Sequence, residues 1–137
     1  MERHASKIVV AVRGDLAVWQ KLNVVAFMAS GIAARHPELI GAAYADASGN
    51  AYLPLFGLPV MCMAGDAAAL SRVRERAQAR GLSVAVYTGG MFATGNDNDN
   101  RAVVAALAAD RLDLVGLALC GDRKDVDKAA KGLALHT

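Results

Sequence analysis

The two cysteines, Cys62 and Cys120, form no Cys-x-x-Cys pair, and the three histidines stand far apart at positions 4, 36 and 136. That spacing excludes a zinc-type ligand set readable from sequence, and no metal or cofactor is expected. Each cysteine sits among apolar neighbours, "VMCMA" and "LALCG", so both are expected to be free core thiols in a reducing cytoplasm. Aromatic residues make up only 5%, so the core must rely on alanine, valine and leucine. Charge of neither sign dominates: 15 Lys plus Arg against 13 Asp plus Glu leave a formal +2. A pI near 8.7 is mild beside nucleic-acid-binding domains. No apolar run reaches the roughly 20 residues of a membrane span, because Gln20, Lys21 and Asn23 interrupt the richest stretch. The opening "MERHASK" is polar and leads into a merely strand-length run, so no secretory signal is expected.

What is present is 137 residues, 55% hydrophobic and 20% charged, enough for one domain over 1–137 with a real core. "KIVVAVR" (7–13) is a β-branched run, apolar on both faces, as in a central strand. Asp15 is placed to cap the helix that follows, which the apolar spacing at 18, 22, 25, 28, 29 and 32 carries to about His36, before Pro37. Between 39 and 56, Ser48, Gly49 and Asn50 suit a loose hairpin. A second strand is expected at 58–64, an Asp66-capped helix stopped by Gly81, a third strand at 82–87, and a helix "RAVVAALAAD". A fourth strand at 112–120 and a closing helix from about Asp122 to Lys131, stopped by Gly132, complete the chain. Strands alternating with helices predict an α/β fold, a three-layer α/β/α sandwich around a mostly parallel four-stranded sheet.

The polar stretch "TGNDNDNR" (94–101) needs an explanation. A calcium loop counted from Asp97 would place glycine sixth and glutamate twelfth, but those positions hold Ala102 and Ala108. Asn98 or Asp99 can serve as a helix cap. The loop also follows a strand's carboxyl end, where α/β sheets bind anions, and Gly89, Gly90 and Gly95 would let backbone approach a ligand. No Walker or dinucleotide motif names that ligand.

Four segments, "KIVVAVRGDL" (7–16), "WQKLNVVAFMASG" (19–31), "GLSVAVYTGGMFAT" (81–94) and "LDLVGLALCGDRKDVDKAAKGLALH" (112–136), resemble the type II peptidyl-tRNA hydrolases and a bacterial family of unknown function similar to them. The resemblance implies a compact α/β domain, commonly a homodimer, with a cleft near the first strand's end, the first helix and the loop after strand three. In the hydrolases that cleft uses a Gly-Lys pair, a His on the first helix and an Asp after strand three. Here the pair reads Gln20-Lys21, the His position falls on Met28 or Ala29, and the Asp position falls on Thr88. Neither methionine nor threonine can activate water as a base.

The expectation is therefore a domain lacking the hydrolase activity, binding a small polar or anionic ligand through Arg13, Asp15, Lys21, Asn23, Thr88, Thr94, Asn96 and Asn100. The alternative is a weak or altered hydrolase acting on peptidyl-tRNA or another aminoacyl ester, with Lys21 orienting phosphate and Thr88 or Thr94 placing water. Arg13 and Asp15 also suit an ion pair plus helix cap, and Trp19 suits a core or dimer contact more than a stacking platform for a base. Arg72, Arg76 and Arg80 share a helix face, and Arg123, Lys124, Lys128 and Lys131 add charge that can track RNA or simply face solvent. A third possibility is that assembly through alanine-rich faces is itself the function.

Overall fold

The computed structural model describes residues 5–137; His4 and most of the polar opening lie outside them. Strand β1 (Ser6–Arg13) is central, and its side chains alternate between two cores. Ile8, Val10 and Val12 join one cluster, while Ala11 joins the other. Helix α1 (Val18–Arg35) buries Val24, Met28 and Ile32 in the first cluster, the helical spacing that the sequence displays. Its cap is Ala17, whose backbone N–H donates to Gln20 Oε1 at 3.0 Å. Asp15 does not cap it, because that carboxylate is held by Arg13.

A two-stranded hairpin, β2 (Tyr44–Ala45) with β3 (Ala51–Tyr52), stands apart from the main sheet, with Gly49 in its turn. Strand β4 (Val60–Gly65) leads to α2 (Ala67–Ala79), where Asp66 accepts from the Ala69 N–H at 2.8 Å. Gly81, at φ 69°, ends that helix in a conformation that costs other residues more. Strand β5 (Ser83–Thr88) runs into a 3₁₀ turn over Gly89–Ala93, and helix α3 (Asp97–Ala105) begins inside the polar stretch. Strand β6 (Leu114–Asp122), helix α4 (Arg123–Ala129) and a two-residue strand β7 (Ala134–Leu135) finish the chain.

The main sheet has five strands in the order β5-β6-β1-β4-β7, and only the β1–β4 pairing is parallel. The expected four-stranded, mostly parallel sheet is thus corrected. Strands β1, β4 and β5 do run the same way, as alternating helices imply, but β6 inserts antiparallel between β5 and β1. Strand β7, hidden in the polar tail "GLALH", adds the fifth strand beside β4. Alternation in sequence counts elements; which strands pair is decided by packing.

Helix α1 covers β5, β6 and β1 on one face, and α2 and α4 cover the other. Gly116 lets α1 approach: a Cβ there would lie 2.9 Å from Met28 Cε and closer still to Val24. Strand β4 lies beyond α1, so Cys62, in register with Val10 and on the same face, is exposed. This corrects the expectation of two core thiols. Cys120 is buried, and that burial raises its thiol pKa. Among the described residues no helix is long and apolar enough to cross a membrane.

Candidate functional site

The carboxyl ends of β1, β4 and β5 meet at one end of the sheet, where the sequence places most of its candidates. Arg13 Nε donates to Asp15 Oδ1 at 2.7 Å and Nη1 donates to Asp113 Oδ1 at 3.0 Å. The bond from Arg13 holds the Asp15 carboxyl below its ordinary range, and Asp15 in turn raises the guanidinium. These groups border a shallow depression with Gly65 and Asp66 at the start of α2. Arg13 is engaged by two carboxylates, so it offers little charge to an anion.

A second cleft, of about 380 Å³, lies on the α1 face between α1, the 3₁₀ turn and the start of α3. Its walls include Trp19, Phe27, Tyr87 and Phe92, four of only one tryptophan, three tyrosines and three phenylalanines in the chain. Their rings contact one another, with centroids 6.1 Å apart for Trp19–Phe92, 5.8 Å for Phe27–Tyr87 and 5.2 Å for Tyr87–Phe92. Asn23, Thr94, Asn96 and Asn100 line the same cleft. Trp19, Asn23 and Phe27 recur every four residues and so stack along one flank of α1.

The polar lining divides into engaged and available groups. Asn96 is the N-cap of α3: its Oδ1 accepts from the Asp99 N–H at 2.8 Å and its amide donates to Asp99 at 2.9 Å. The cap is thus Asn96 rather than Asn98 or Asp99. Thr94 Oγ1 shares its single proton between the Met91 carbonyl, 2.9 Å away, and Asn100 Oδ1. The Asn23 carboxamide, half-buried, bonds to no group among the described residues, and neither does the amide N–H pair of Asn100. Asp97 adds an acid to the rim, where Arg101 pairs with it. Gly95 faces this cleft, whereas a Cβ at Gly89 would overlap the exposed Asp113 carboxylate and make it shift.

Lys21 lies elsewhere. Two residues from Asn23 on a helix, it points about 200° away, into a groove of about 420 Å³ between α1, β1 and β4. There its Nζ stands 3.1 Å from Nε2 of His136, a residue 115 positions away that no local pattern marks. Thr88 is buried, 3% exposed, and its backbone N–H donates to Met91 Sδ at 3.3 Å. Lys21, Thr88 and Thr94 therefore do not converge on one point. Of the eight ligand-binding candidates, Asn23, Thr94, Asn96 and Asn100 share a cleft; Arg13 and Asp15 form a separate pair; Lys21 and Thr88 join neither group. Sequence reading missed Phe27, Tyr87, Phe92 and His136. The scarcity of aromatics, with Phe27 at helical spacing from Trp19, was the available signal for the first of them.

The basic residues are partly used inside the fold. Arg76 Nη1 donates to the Lys131 carbonyl at 2.8 Å, and Arg80 pairs with Asp125 at 3.1 Å. They tie α2 to α4 and its following turn.

Among the curated proteins compared, none matches the chain. A solved structure of a protein of unknown function from Agrobacterium tumefaciens strain C58 is similar throughout, with 47% identity and a TM-score of 0.96 over 98% of this chain and 100% of that one. The family model described as "Protein of unknown function (DUF2000)" matches residues 6–137. By that match the chain belongs to the DUF2000 family.

Proposed function

We propose that the chain is a small-molecule-binding domain whose ligand occupies the aromatic cleft between α1 and α3. The observation that carries this is the Asn23 carboxamide, half-buried and without a partner among the described residues, facing a space walled by Trp19, Tyr87 and Phe92. A half-buried carboxamide with no protein partner on a cleft wall is free to bond a ligand in exchange for water. Carboxamides of Asn23 and Asn100 offer donors and an acceptor, and ring walls favour a flat ligand. Asp97 on the rim is neutralised by Arg101, and Arg13 and Lys21 lie elsewhere, so the lining is close to neutral and suits an uncharged ligand. A planar heterocycle with an amide-like edge, such as a nucleobase, fits this chemistry.

The relation to type II peptidyl-tRNA hydrolases is likewise proposed, on the four similar segments, for the fold rather than the activity. Against adopting the hydrolase alternative stand the burial of Thr88 and the separation of Lys21 from Thr94. The test is titration of the pure chain with uracil, adenine and nicotinamide, read by fluorescence of Trp19, the sole tryptophan. Saturable quenching is expected with at least one ring, weakened about fivefold in Asn23→Leu by loss of roughly 1 kcal/mol of hydrogen bonding. Absence of any response, or equal affinity in a folded Asn23→Leu variant, would refute the site.

A further inference from the structure

On the opposite flank of α1 lies the groove that holds Lys21, about 420 Å³ in volume and within the range of roughly 300–1,000 Å³ usual for small-molecule sites. Its walls are Val10, Val12, Val18, Leu22 and Val25, and Cys62 and His136 border it from β4 and the chain that follows β7. Among the described residues no aspartate or glutamate side chain lines it, and Met63 and Thr137 complete the lining. Cys62 and His136 face each other across β4 and β7: the His136 N–H donates to the Cys62 carbonyl at 3.0 Å, continuing the Met63–Leu135 register. Cross-strand partners present their side chains on one face.

Among the described residues lining the groove, Lys21 is the one cationic side chain, at the polar end beside His136 and Thr137. The Lys21 ammonium donates to His136 Nε2, which requires the other ring nitrogen to carry the proton, and Nδ1 lies 2.8 Å from a main-chain oxygen of Thr137 that accepts it. Among the described residues Lys21 forms no ion pair. Asp15 feels its charge, but the Asp15 carboxylate is bonded to Arg13. An ammonium has three N–H groups, and one of them suffices for the imidazole, so two remain for a ligand.

One cationic side chain, with two N–H groups to spare, at the head of an aliphatic trough complements a ligand with one negative charge and an apolar body. We propose that this groove binds an aliphatic monocarboxylate, with its carboxylate on Lys21 and its chain along Val10, Val12, Leu22 and Val25 beside the Cys62 thiol. Aromatic or polyanionic ligands fit worse, because the long walls are aliphatic, with the His136 imidazole only at the polar end, and the head offers one cationic side chain. The site is separate from the aromatic cleft, which lies across α1, and either can fail without the other.

Octanoate, 1-octanol and acetate distinguish the contributions in calorimetric titrations of the full chain at mildly alkaline pH. Octanoate is expected to bind, octanol about tenfold or more weakly for want of the charge-assisted bond, and acetate not measurably. Lys21→Met should erase the preference for octanoate over octanol, while Lys21→Arg should keep it. Octanoate should also slow labelling of Cys62 by a thiol reagent several-fold, with melting of each variant checked for an intact fold. Equal affinity for octanoate and octanol, an unchanged preference in Lys21→Met, or unprotected Cys62 would overturn the proposal. So would a dimer that buries the groove and excludes octanoate, as read by sedimentation.

Discussion

Replacing Gly116 by alanine tests whether α1 is docked as closely as the geometry says. The added methyl would sit 2.9 Å from Met28 Cε and 3.1 Å from its sulfur, and closer to Val24, against an optimum of about 3.5–4.0 Å for carbon pairs. Val24 and Met28 are 0% and 2% exposed, and both pack on the sheet, so neither can move into solvent without shifting the helix. Overpacking of this kind costs about 1–3 kcal/mol, or roughly 3–8 °C in melting temperature for a chain of this size. Gly116 does not have a positive φ, so the cost comes from contact rather than backbone strain. Val24→Ala removes two buried carbons and should cost about 2 kcal/mol alone. The double variant should be less destabilised than the sum, by about 1 kcal/mol, because the space left by valine receives the new methyl. Urea unfolding followed by far-ultraviolet circular dichroism measures all four corners of the cycle. A Gly116→Ala variant within about 0.5 kcal/mol of the parent, or strict additivity, would refute the reasoning.

Three further outcomes follow from local geometry. The Asp46 carboxyl accepts from the Tyr52 hydroxyl at 2.6 Å and from Asn50 and Ser48, which hold its pKa at about 2 and raise that of the Tyr52 phenol. A depressed carboxyl stabilises the hairpin above its ordinary value of 3.8, and that contribution fades as pH falls from there through about 2; an NMR titration midpoint near 4 would sink this. Iodoacetamide should label exposed Cys62 in the native chain and reach buried Cys120 only on unfolding, so equal native labelling would contradict the assigned faces of β4 and β6. Asn96→Ala should cost about 1 kcal/mol through loss of the α3 cap, with Asn96→Ser recovering most of it in the same unfolding assay.

Much of the secondary structure was legible because it rests on local rules. The β-branched run of β1, the Asp66 and Asp122 caps, and Gly81 and Gly132 at φ 69° and 97° are each dictated by neighbours within a few residues. The Asn-Asp stretch illustrates the limit of that kind of reading. Its capping role could be foreseen, but Asn96 rather than Asn98 or Asp99 supplies the cap, since the helix begins before the first apolar residue. Cys62 marks a similar limit. Its neighbours are apolar, yet its exposure depends on which strands α1 happens to cover.

Sequence alone determined the helices, most of the strands and their shared end of the sheet, through periodicity and capping chemistry that act over a few residues. It also contained the separation of Lys21 from Asn23, because two steps along a helix turn the side chains apart by about 200°. Tertiary structure alone decided that β6 enters between β5 and β1, that four scarce aromatic rings share one cleft, and that His136 meets Lys21 across 115 residues. Those outcomes depend on pairing and burial between segments distant in the chain, where no local spacing records which partner is chosen.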